Sequence, residues 1–300
     1  MSSIKNYFQQ QSKKLHPRLW DFIELVRLDK PIGVYLLLWP TAWSLWIAGN
    51  GNPGWKLGII FFCGVILMRS AGCAINDFAD RHLDGSVART RLRPLVTGKI
   101  KSFEALLVAA VLVLIAFILV LQVNRLTVYW SMGALLIASI YPFMKRYTHL
   151  PQVVLGAAFA WSVPMAFSAQ QNNVPETAWL IYIATVFWTI AYDTMYAMVD
   201  REDDLKAGIK STAILFGSAD RIIIASLQLL TLFSLVLLGN KEQLSWIFYL
   251  GIFGAAAFFI YQQYLIKERN PEKCLQAFKN NHWAGTVIFI GIAVHYYFLR

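Results

Sequence analysis

The end of one hydrophobic segment carries three oxygen-bearing side chains at intervals of four residues, Asn76, Asp80 and Asp84. On an α-helix this spacing would place them on one face, with neighbours about 6 Å apart along the axis. Like charges at that spacing repel one another unless a cation neutralises them. A hard divalent cation, which prefers oxygen ligands, would do so. The pattern therefore predicts a metal site at the end of this segment.

A second group of the same kind occurs later in the chain, at Asp193, Tyr196, Asp200 and Asp204. Its last three members repeat the spacing of the first group, which predicts two halves that face each other across a shared cavity. Mg²⁺ usually takes only one or two carboxylates and completes its shell with water and substrate phosphates. Two such groups therefore predict a site for Mg²⁺ and a phosphorylated ligand. The alternative interpretation, a run of solvent-exposed charges, does not explain why the spacing recurs.

Several basic residues near the two acidic groups have the chemistry that phosphate oxygens require. The candidates are Arg89, Arg91, Arg93, Lys145, Arg146, Lys206 and Lys210. Each of them could equally be a signal of membrane topology. Arg69 differs, because it lies inside an apolar segment about two helical turns before the acidic end. An arginine within the bilayer costs about 2.5–3.5 kcal/mol on insertion scales, so we expect it to face a cavity or a partner.

An all-α membrane protein is needed to position these side chains. Of the 300 residues, 57% are hydrophobic and 15% charged, against about 45–50% and about 25% in soluble domains. Long apolar runs approach the roughly 20 residues that cross a bilayer. Hydropathy and helix breakers predict nine spans, at residues 31–50, 57–77, 104–123, 127–143, 151–170, 177–198, 219–238, 245–265 and 282–299.

The distribution of basic residues predicts how these spans are oriented. Most of the 27 Lys and Arg residues fall in the N-terminal segment or after even-numbered spans, which the positive-inside rule assigns to the cytoplasm. The N-terminus and both acidic groups would then be cytoplasmic, and the C-terminus would lie outside. We expect residues 1–30 to form a cytoplasmic or interfacial segment and residues 31–300 a single transmembrane domain.

Other classes of protein fit the sequence less well. The net charge of +10 does not indicate nucleic-acid binding, because there is no soluble fold to present a basic face. The three cysteines lack the spacing of a disulfide framework, so we expect buried thiols. A transporter would carry its charges near the bilayer centre, whereas these lie at span ends. The N-terminal residues lack a signal or transit pattern, which favours a bacterial inner membrane.

Several segments resemble the UbiA-type intramembrane prenyltransferases. Residues 76–84 are similar to the NDxxDxxxD motif of that family, and residues 192–204 resemble its second aspartate-rich motif. Three further segments are similar to the members that prenylate 4-hydroxybenzoate: residues 27–43, 141–164 and 206–217. The resemblance covers nearly the whole chain.

This resemblance implies nine transmembrane helices around a central cavity, in which two Mg²⁺ ions hold a polyprenyl diphosphate. The implied metal ligands come from both acidic groups: Asn76, Asp80, Asp84, Asp200 and Asp204. The cations expected on the diphosphate oxygens are Arg93, Lys145 and Lys210.

The implied reaction transfers the polyprenyl group to the ring carbon ortho to the hydroxyl of 4-hydroxybenzoate, giving 3-polyprenyl-4-hydroxybenzoate in ubiquinone biosynthesis. We expect Arg69 to anchor the carboxylate, and Asp193 to polarise the phenol or accept the ring proton, helped by Tyr141 or Tyr192. The isoprenoid tail would run between helices into membrane lipid. A naphthoate, homogentisate or haem remains an alternative acceptor, and the sequence predicts neither tail length nor oligomeric state.

Overall fold

The computed structural model describes residues 16–298. Residues 1–15 of the predicted N-terminal segment and residue 299 of the last predicted span lie outside this range. Across residues 16–298 the chain is all helical and contains no β-strand, as predicted. In chain order the helices are α1 (Leu19–Leu25), α2 (Ile32–Ala48), α3 (Trp55–Asp80), α4 (Ser102–Val120), α5 (Arg125–Ile140), α6 (Met144–Tyr147), α7 (Pro151–Ala160), α8 (Ser162–Gln171), α9 (Glu176–Ala197), α10 (Arg201–Ala207), α11 (Thr212–Phe216), α12 (Asp220–Lys241), α13 (Trp246–Leu265) and α14 (Pro271–Phe298).

Seven helical segments in the described range are long and apolar enough to cross a membrane: Trp55–Asp80, Ser102–Val120, Arg125–Tyr147, Pro151–Gln171, Glu176–Ala197, Thr212–Lys241 and Trp246–Glu268. They correspond to seven of the nine predicted spans and make the chain an integral membrane protein. The first predicted span is the shorter apolar helix α2, of 17 residues. The last falls in α14, whose first part carries Glu272, Lys273 and Lys279. Length and composition therefore support seven spans without establishing nine.

Three helices, α2, α9 and α14, form the centre of the bundle. The rings of Trp43 in α2 and Trp188 in α9 stack with centroids 5.3 Å apart. The Trp188 indole N–H donates to Asn281 Oδ1 of α14 (2.8 Å), and the Trp43 N–H donates to the Gly285 carbonyl (3.2 Å). Because the bilayer core offers no water to a polar group, such internal partners are what these side chains require.

The helices α4 and α5 form an outer wall of the bundle. In α4 only Ala105, Ala109 and Val120 are buried, while large side chains such as Leu107 and Leu114 are exposed. The two buried alanines pack against α3, where small residues allow close approach of two helices. Part of this surface, including Leu114 and Phe117, lines an apolar cavity inside the bundle, and the rest is suited to contact lipid.

The segments that carry the acidic groups leave their helices before those groups are complete. Helix α3 ends at Asp80, and Asp84 begins a 3₁₀ turn. The prediction that Asn76, Asp80 and Asp84 share one continuous helix was therefore wrong beyond Asp80. The Thr90 hydroxyl donates to the Asp84 carbonyl (2.8 Å), so the folded loop of residues 81–101 fixes Asp84. Asp200 likewise lies just before α10 instead of on α9.

Candidate active site

A polar cavity of about 450 Å³ lies where α3 and α9 end. Its carboxylates are Asp77, Asp80, Asp84, Asp193, Asp200 and Asp204. Its cations are Arg27, Lys30, Arg69, Arg89, Arg93, Lys145, Lys210 and Lys279. Asn76 and Tyr141 also line it, so the cavity contains all the predicted metal ligands, Arg93, Lys145 and Lys210, and every predicted catalytic residue except Tyr192. Of the other candidate cations, Arg89 lines the cavity, whereas Arg91, Arg146 and Lys206 do not. Asp80 and Asp200, from the two acidic groups, face the same compartment.

Two oxygen atoms of the first acidic group are buried and unpartnered. The Asn76 amide donates to Asp80 Oδ2 (3.1 Å) across one helical turn. Asn76 Oδ1 and Asp80 Oδ1 are both buried and have no hydrogen-bond partner within residues 16–298. A buried polar atom without a partner is costly. These two oxygens fit a hard cation, which would supply the missing interaction.

The carboxylates of the first group are already paired with basic side chains. Lys145 Nζ binds Asp80 Oδ2. Arg93 Nη1 lies 2.5 Å from Asp84 Oδ2 and 2.9 Å from Asp77 Oδ1. Arg27 donates to both oxygens of Asp77, each at 2.9 Å. Two predicted phosphate-binding cations, Arg93 and Lys145, thus hold predicted metal ligands.

The second acidic group is tied to the first by the loop of residues 81–101. Arg89 donates through Nε and Nη2 to the carboxylate of Asp200, at 3.0 and 2.5 Å. Its guanidinium also lies over the ring of Tyr196, 4.7 Å from the centroid. The backbone N–H of Ala88 donates to Asp203 (3.0 Å). This loop therefore closes one side of the cavity and joins the two groups.

Two carboxylates outside the spans hold their protons more tightly than usual. Burial raises the pKa of Asp84, Arg93 opposes the shift, and the charges of Asp80 and Asp77 add to it. Burial and the neighbouring charge of Asp200 raise the pKa of Asp204 to about 7. Both shifts arise mainly from burial, which disfavours the charged form, and neighbouring carboxylates add to them.

No group of three acidic, histidine or cysteine side chains within the described range has the geometry to hold a metal by itself. Mg²⁺ does not require such a group, because it commonly binds one or two carboxylates and takes its other ligands from water and phosphate. The unpartnered oxygens of Asn76 and Asp80 fit that mode of binding. Lys210 lines the same cavity, with Nζ 3.4 Å from the Tyr147 carbonyl.

Arg69 lies at the inner end of the polar cavity, within α3. Its Nε is buried and has no hydrogen-bond partner in the part of the chain that the structure describes. Its guanidinium carbon lies 5.8 Å from the ring centre of Phe159 in α7. The arginine therefore faces a cavity, as expected for a cation inside an apolar segment.

Asp193 faces the same inner region from α9. Gln152, Lys145 and Arg69 line the cavity with it. The Gln152 carbonyl oxygen accepts from the backbone N–H of Thr212 (3.1 Å), which holds the amide in place. A carboxylate in this setting can accept a proton from a ligand bound beside it.

The two tyrosines predicted to assist Asp193 occupy different places. Tyr141 lines the cavity, at the 3₁₀ turn after α5. Tyr192 does not line it: its ring packs edge-on against Trp188 and its hydroxyl pairs with Thr189 at 3.1 Å. Adjacent positions on a helix point in directions about 100° apart, so Asp193 faces the cavity while Tyr192 faces the core. The geometry therefore favours Tyr141 over Tyr192 as the tyrosine that could assist Asp193.

An apolar cavity of about 630 Å³ adjoins the polar one. It lies between α3, α4, α5, α7 and α8, and its walls include Phe61, Phe117 and Met165. Arg69 and Tyr141 line both cavities. The polar and apolar spaces therefore meet beside these two side chains.

Comparison with known proteins identifies the family. The profile of the UbiA prenyltransferase family matches residues 37–285. The chain belongs to this family. It is 60% identical over 283 residues to the 4-hydroxybenzoate octaprenyltransferase of Pseudomonas aeruginosa strain LESB58, covering 94% of this chain and 96% of that protein. The corresponding protein of Azotobacter vinelandii is 58% identical over 287 residues, covering 96% and 97%.

Solved structures of UbiA homologues share the fold of this UbiA-family chain. The apo structure from Aeropyrum pernix K1 has a TM-score of 0.76 and 23% identity, covering 87% of this chain and 97% of that one. A homologue from Archaeoglobus fulgidus bound to GPP and Mg²⁺ has a TM-score of 0.69 and 19% identity, covering 92% and 98%. At these identities the likeness concerns the fold.

Sequence reasoning did not assign several side chains that contribute to the site of this family member. Asp77 pairs with Arg27 and Arg93, Arg89 pairs with Asp200, and Gln152 lines the cavity with Asp193. Asp77 lies inside the first acidic motif, and Arg89 was among the candidate cations, so both gave a signal. Arg27 begins the family-like segment 27–43, but its contact with Asp77 could not be predicted, because only the fold brings this part of the chain to the end of α3.

Proposed function

We propose that this protein transfers a polyprenyl group from polyprenyl diphosphate to the ring carbon ortho to the hydroxyl of 4-hydroxybenzoate. The product is 3-polyprenyl-4-hydroxybenzoate, an intermediate of ubiquinone biosynthesis. About 60% identity over nearly the whole length of proteins named for that activity supports the assignment. The observation that carries it is the arrangement of one charged cavity, lined by both acidic groups, that meets an apolar cavity beside Arg69.

The metal ligands we propose are Asn76, Asp80 and Asp84 for one Mg²⁺ ion and Asp200 and Asp204 for a second. The buried, unpartnered oxygens of Asn76 and Asp80 support this assignment. Bound there, Mg²⁺ would supply positive charge that stabilises the diphosphate as a leaving group.

The cations proposed to bind the diphosphate oxygens are Arg93, Lys145 and Lys210, joined by Arg89. Three of these four are paired with carboxylates in this structure: Arg93 with Asp84, Lys145 with Asp80, and Arg89 with Asp200. When the diphosphate binds, each cation can turn from carboxylate to phosphate oxygen without leaving the cavity. Charge-assisted bonds of this kind are the strong ones.

The acceptor is proposed to lie between Arg69 and Asp193, close to the plane where the two cavities meet. Arg69 would bind the benzoate carboxylate through its free donors. As the carbon–oxygen bond of the donor breaks, the allylic carbon gains positive charge, which the ring of Tyr141 can stabilise through its π face. The ortho carbon of the acceptor then bonds to it. Asp193 accepts the ring proton, which restores aromaticity.

The isoprenoid tail is proposed to occupy the apolar cavity between α3, α4, α5, α7 and α8. Its walls are almost entirely hydrocarbon and aromatic, so a polyprenyl chain loses contact with lipid but stays in an apolar medium. The cavity lies beside the lipid-facing wall of α4 and α5. A longer chain can continue from it into the bilayer.

We further propose nine spans, with α2 and α14 added to the seven helices that meet the length and hydropathy requirements. The basic loops would place the N-terminus and the charged cavity on the cytoplasmic side of a bacterial inner membrane. Residues 1–30 would form a cytoplasmic or interfacial segment, and residues 31–300 one transmembrane domain built from two similar halves.

The test is a transfer assay with purified protein in detergent, supplied with Mg²⁺, one polyprenyl diphosphate and a panel of aromatic acceptors. We expect a prenylated product from 4-hydroxybenzoate and none after removal of divalent cations with a chelator. Transfer to a naphthoate or homogentisate but not to 4-hydroxybenzoate would identify a related enzyme with another acceptor. No transfer to any acceptor would refute the proposal.

A further inference from the structure

Gly33, near the start of α2, lies directly against the side chain of Arg69. A Cβ atom placed on Gly33 would lie 2.6 Å from Arg69 Nη2 and 2.8 Å from Cζ, with Nε closer still. Separations below 3.0 Å are essentially never seen around real Cβ atoms. Even one methyl group at position 33 therefore requires the guanidinium to move.

The need for glycine at this position comes from space and not from the backbone. Gly33 is absent from the glycines with positive φ, and it lies in a regular helix. Alanine would suit such a backbone at least as well. The space that a side chain at position 33 would take is occupied by the guanidinium of Arg69. This group lies between α2 on one side and Phe159 of α7 on the other.

We propose that Gly33 is a specificity-determining positioning residue for the acceptor, acting through Arg69. This inference rests on the proposed function, in which Arg69 binds the benzoate carboxylate. Because Gly33 has no side chain, the guanidinium of Arg69 can lie against α2. In that position it leaves open the space where the polar and apolar cavities meet. A side chain at position 33 would shift the guanidinium from its place against α2 and so change the direction in which its donors point.

The displacement affects the acceptor and not the donor. The side chains proposed to hold the diphosphate, Arg93, Lys145 and Arg89, come from other segments and make their own contacts. The Cβ of residue 33 would meet Arg69 alone among its three nearest neighbours. The loss should therefore be confined to acceptors that carry a carboxylate.

The test compares Gly33→Ala with Gly58→Ala. Gly58 is also a helical glycine, in α3, but a Cβ there would have nothing within 4 Å. Equilibrium binding of 4-hydroxybenzoate and of its neutral amide is measured without donor, together with KM for both substrates. We expect Gly33→Ala to weaken benzoate binding by about tenfold to a hundredfold, as displacements near 1 Å do. Amide binding, the KM of the donor, and every value for Gly58→Ala should stay within about twofold of the wild type.

A double substitution separates this inference from the proposed function. If Gly33 acts through Arg69, Gly33→Ala should cause no further loss of benzoate binding in an Arg69→Ala protein. Additive losses, or unchanged benzoate binding in Gly33→Ala alone, would overturn the role of Gly33. Unchanged benzoate binding in Arg69→Ala alone would instead overturn the proposed carboxylate anchor.

The thermal stability of the same variants gives a second measurement should Gly33→Ala fold poorly. If the methyl group acts by overlap with the guanidinium, removing Arg69 in the double variant should restore the apparent Tm toward that of Arg69→Ala alone. Equal destabilisation in both backgrounds would show that Gly33→Ala disturbs helix packing, and it would overturn the proposal.

Discussion

Replacing Asp77 by asparagine should destabilise the protein through the loss of one buried charge. The Asp77 side chain is 2% exposed and lies 2.9 Å from both Arg27 and Arg93. Asparagine has a similar size and one amide oxygen that can accept hydrogen bonds. It removes the charge that Arg27 and Arg93 share, which leaves Arg93 with Asp84 as its remaining counter-ion. Arg27 joins the start of the chain to α3 through this contact, so the substitution also loosens that connection.

The magnitude follows from burial. Removing one partner of a buried ion pair costs about 3–5 kcal/mol. The side chains of Arg27 and Arg93 are 23% and 13% exposed, so water relieves part of the penalty and the lower value, about 3 kcal/mol, applies. For a chain of 300 residues that loss lowers Tm by roughly 5 °C.

Thiol-reactive dye fluorescence can follow unfolding in detergent, because Cys73 and Cys274 are buried in the folded protein. All variants should be heated at one rate, since irreversible unfolding makes the apparent Tm depend on it. The matched control is Glu176→Gln, which removes an ion pair with Lys241 of similar length (2.7 Å) where the Glu176 side chain is 87% exposed. No measurable shift is expected there. Equal Tm values for Asp77→Asn and Glu176→Gln would refute the assignment of Asp77 as a buried counter-ion.

Further predictions concern the reaction. Asp80→Ala and Asp200→Ala should each abolish transfer in the purified assay, since both carboxylates line one cavity; full activity in either would refute a shared site. Asp193→Asn should lower kcat by about 10²–10⁴-fold while donor binding is retained; lost donor binding would instead make Asp193 a metal ligand. Arg69→Ala should raise KM for 4-hydroxybenzoate but not for the donor; an unaltered acceptor KM would contradict its role.

The sequence predicted the helices well, because length and hydropathy largely determine whether a segment spans a membrane. The predicted span 31–50 is α2, Ile32–Ala48, and the span 104–123 is α4, Ser102–Val120. The predicted span 151–170 corresponds to Pro151–Gln171. Within it a turn at Trp161 separates α7 from α8, and the Trp161 indole N–H donates to the Trp130 carbonyl of α5 (2.8 Å), a tertiary contact that hydropathy does not predict.

The candidate site was predictable where chemistry repeats locally and unpredictable where distant segments meet. Regular spacing identified Asp80 and Asp200 as members of two related groups. The same spacing suggested a continuous helix to Asp84, yet a folded loop positions that residue. Tyr192 and Asp193 are neighbours in sequence but face different surroundings. The room that Gly33 leaves for Arg69 depends on the packing of α2 against α3, which no local pattern encodes.

The charge of the polar cavity suggests how the proposed ligands enter it. Eight Lys and Arg side chains and six Asp side chains line the cavity, so its formal charge is positive. Several of these cations already form ion pairs with the carboxylates. Mg²⁺ alone would add to that excess, and a diphosphate alone would meet cations held by carboxylates. Two dications, one trianionic diphosphate ester and one benzoate together carry no net charge. When Mg²⁺, the diphosphate ester and benzoate bind together, the lysines and arginines can pair with phosphate and the carboxylates with Mg²⁺, without a change in the net charge of the cavity. Each ligand should therefore strengthen the binding of the others.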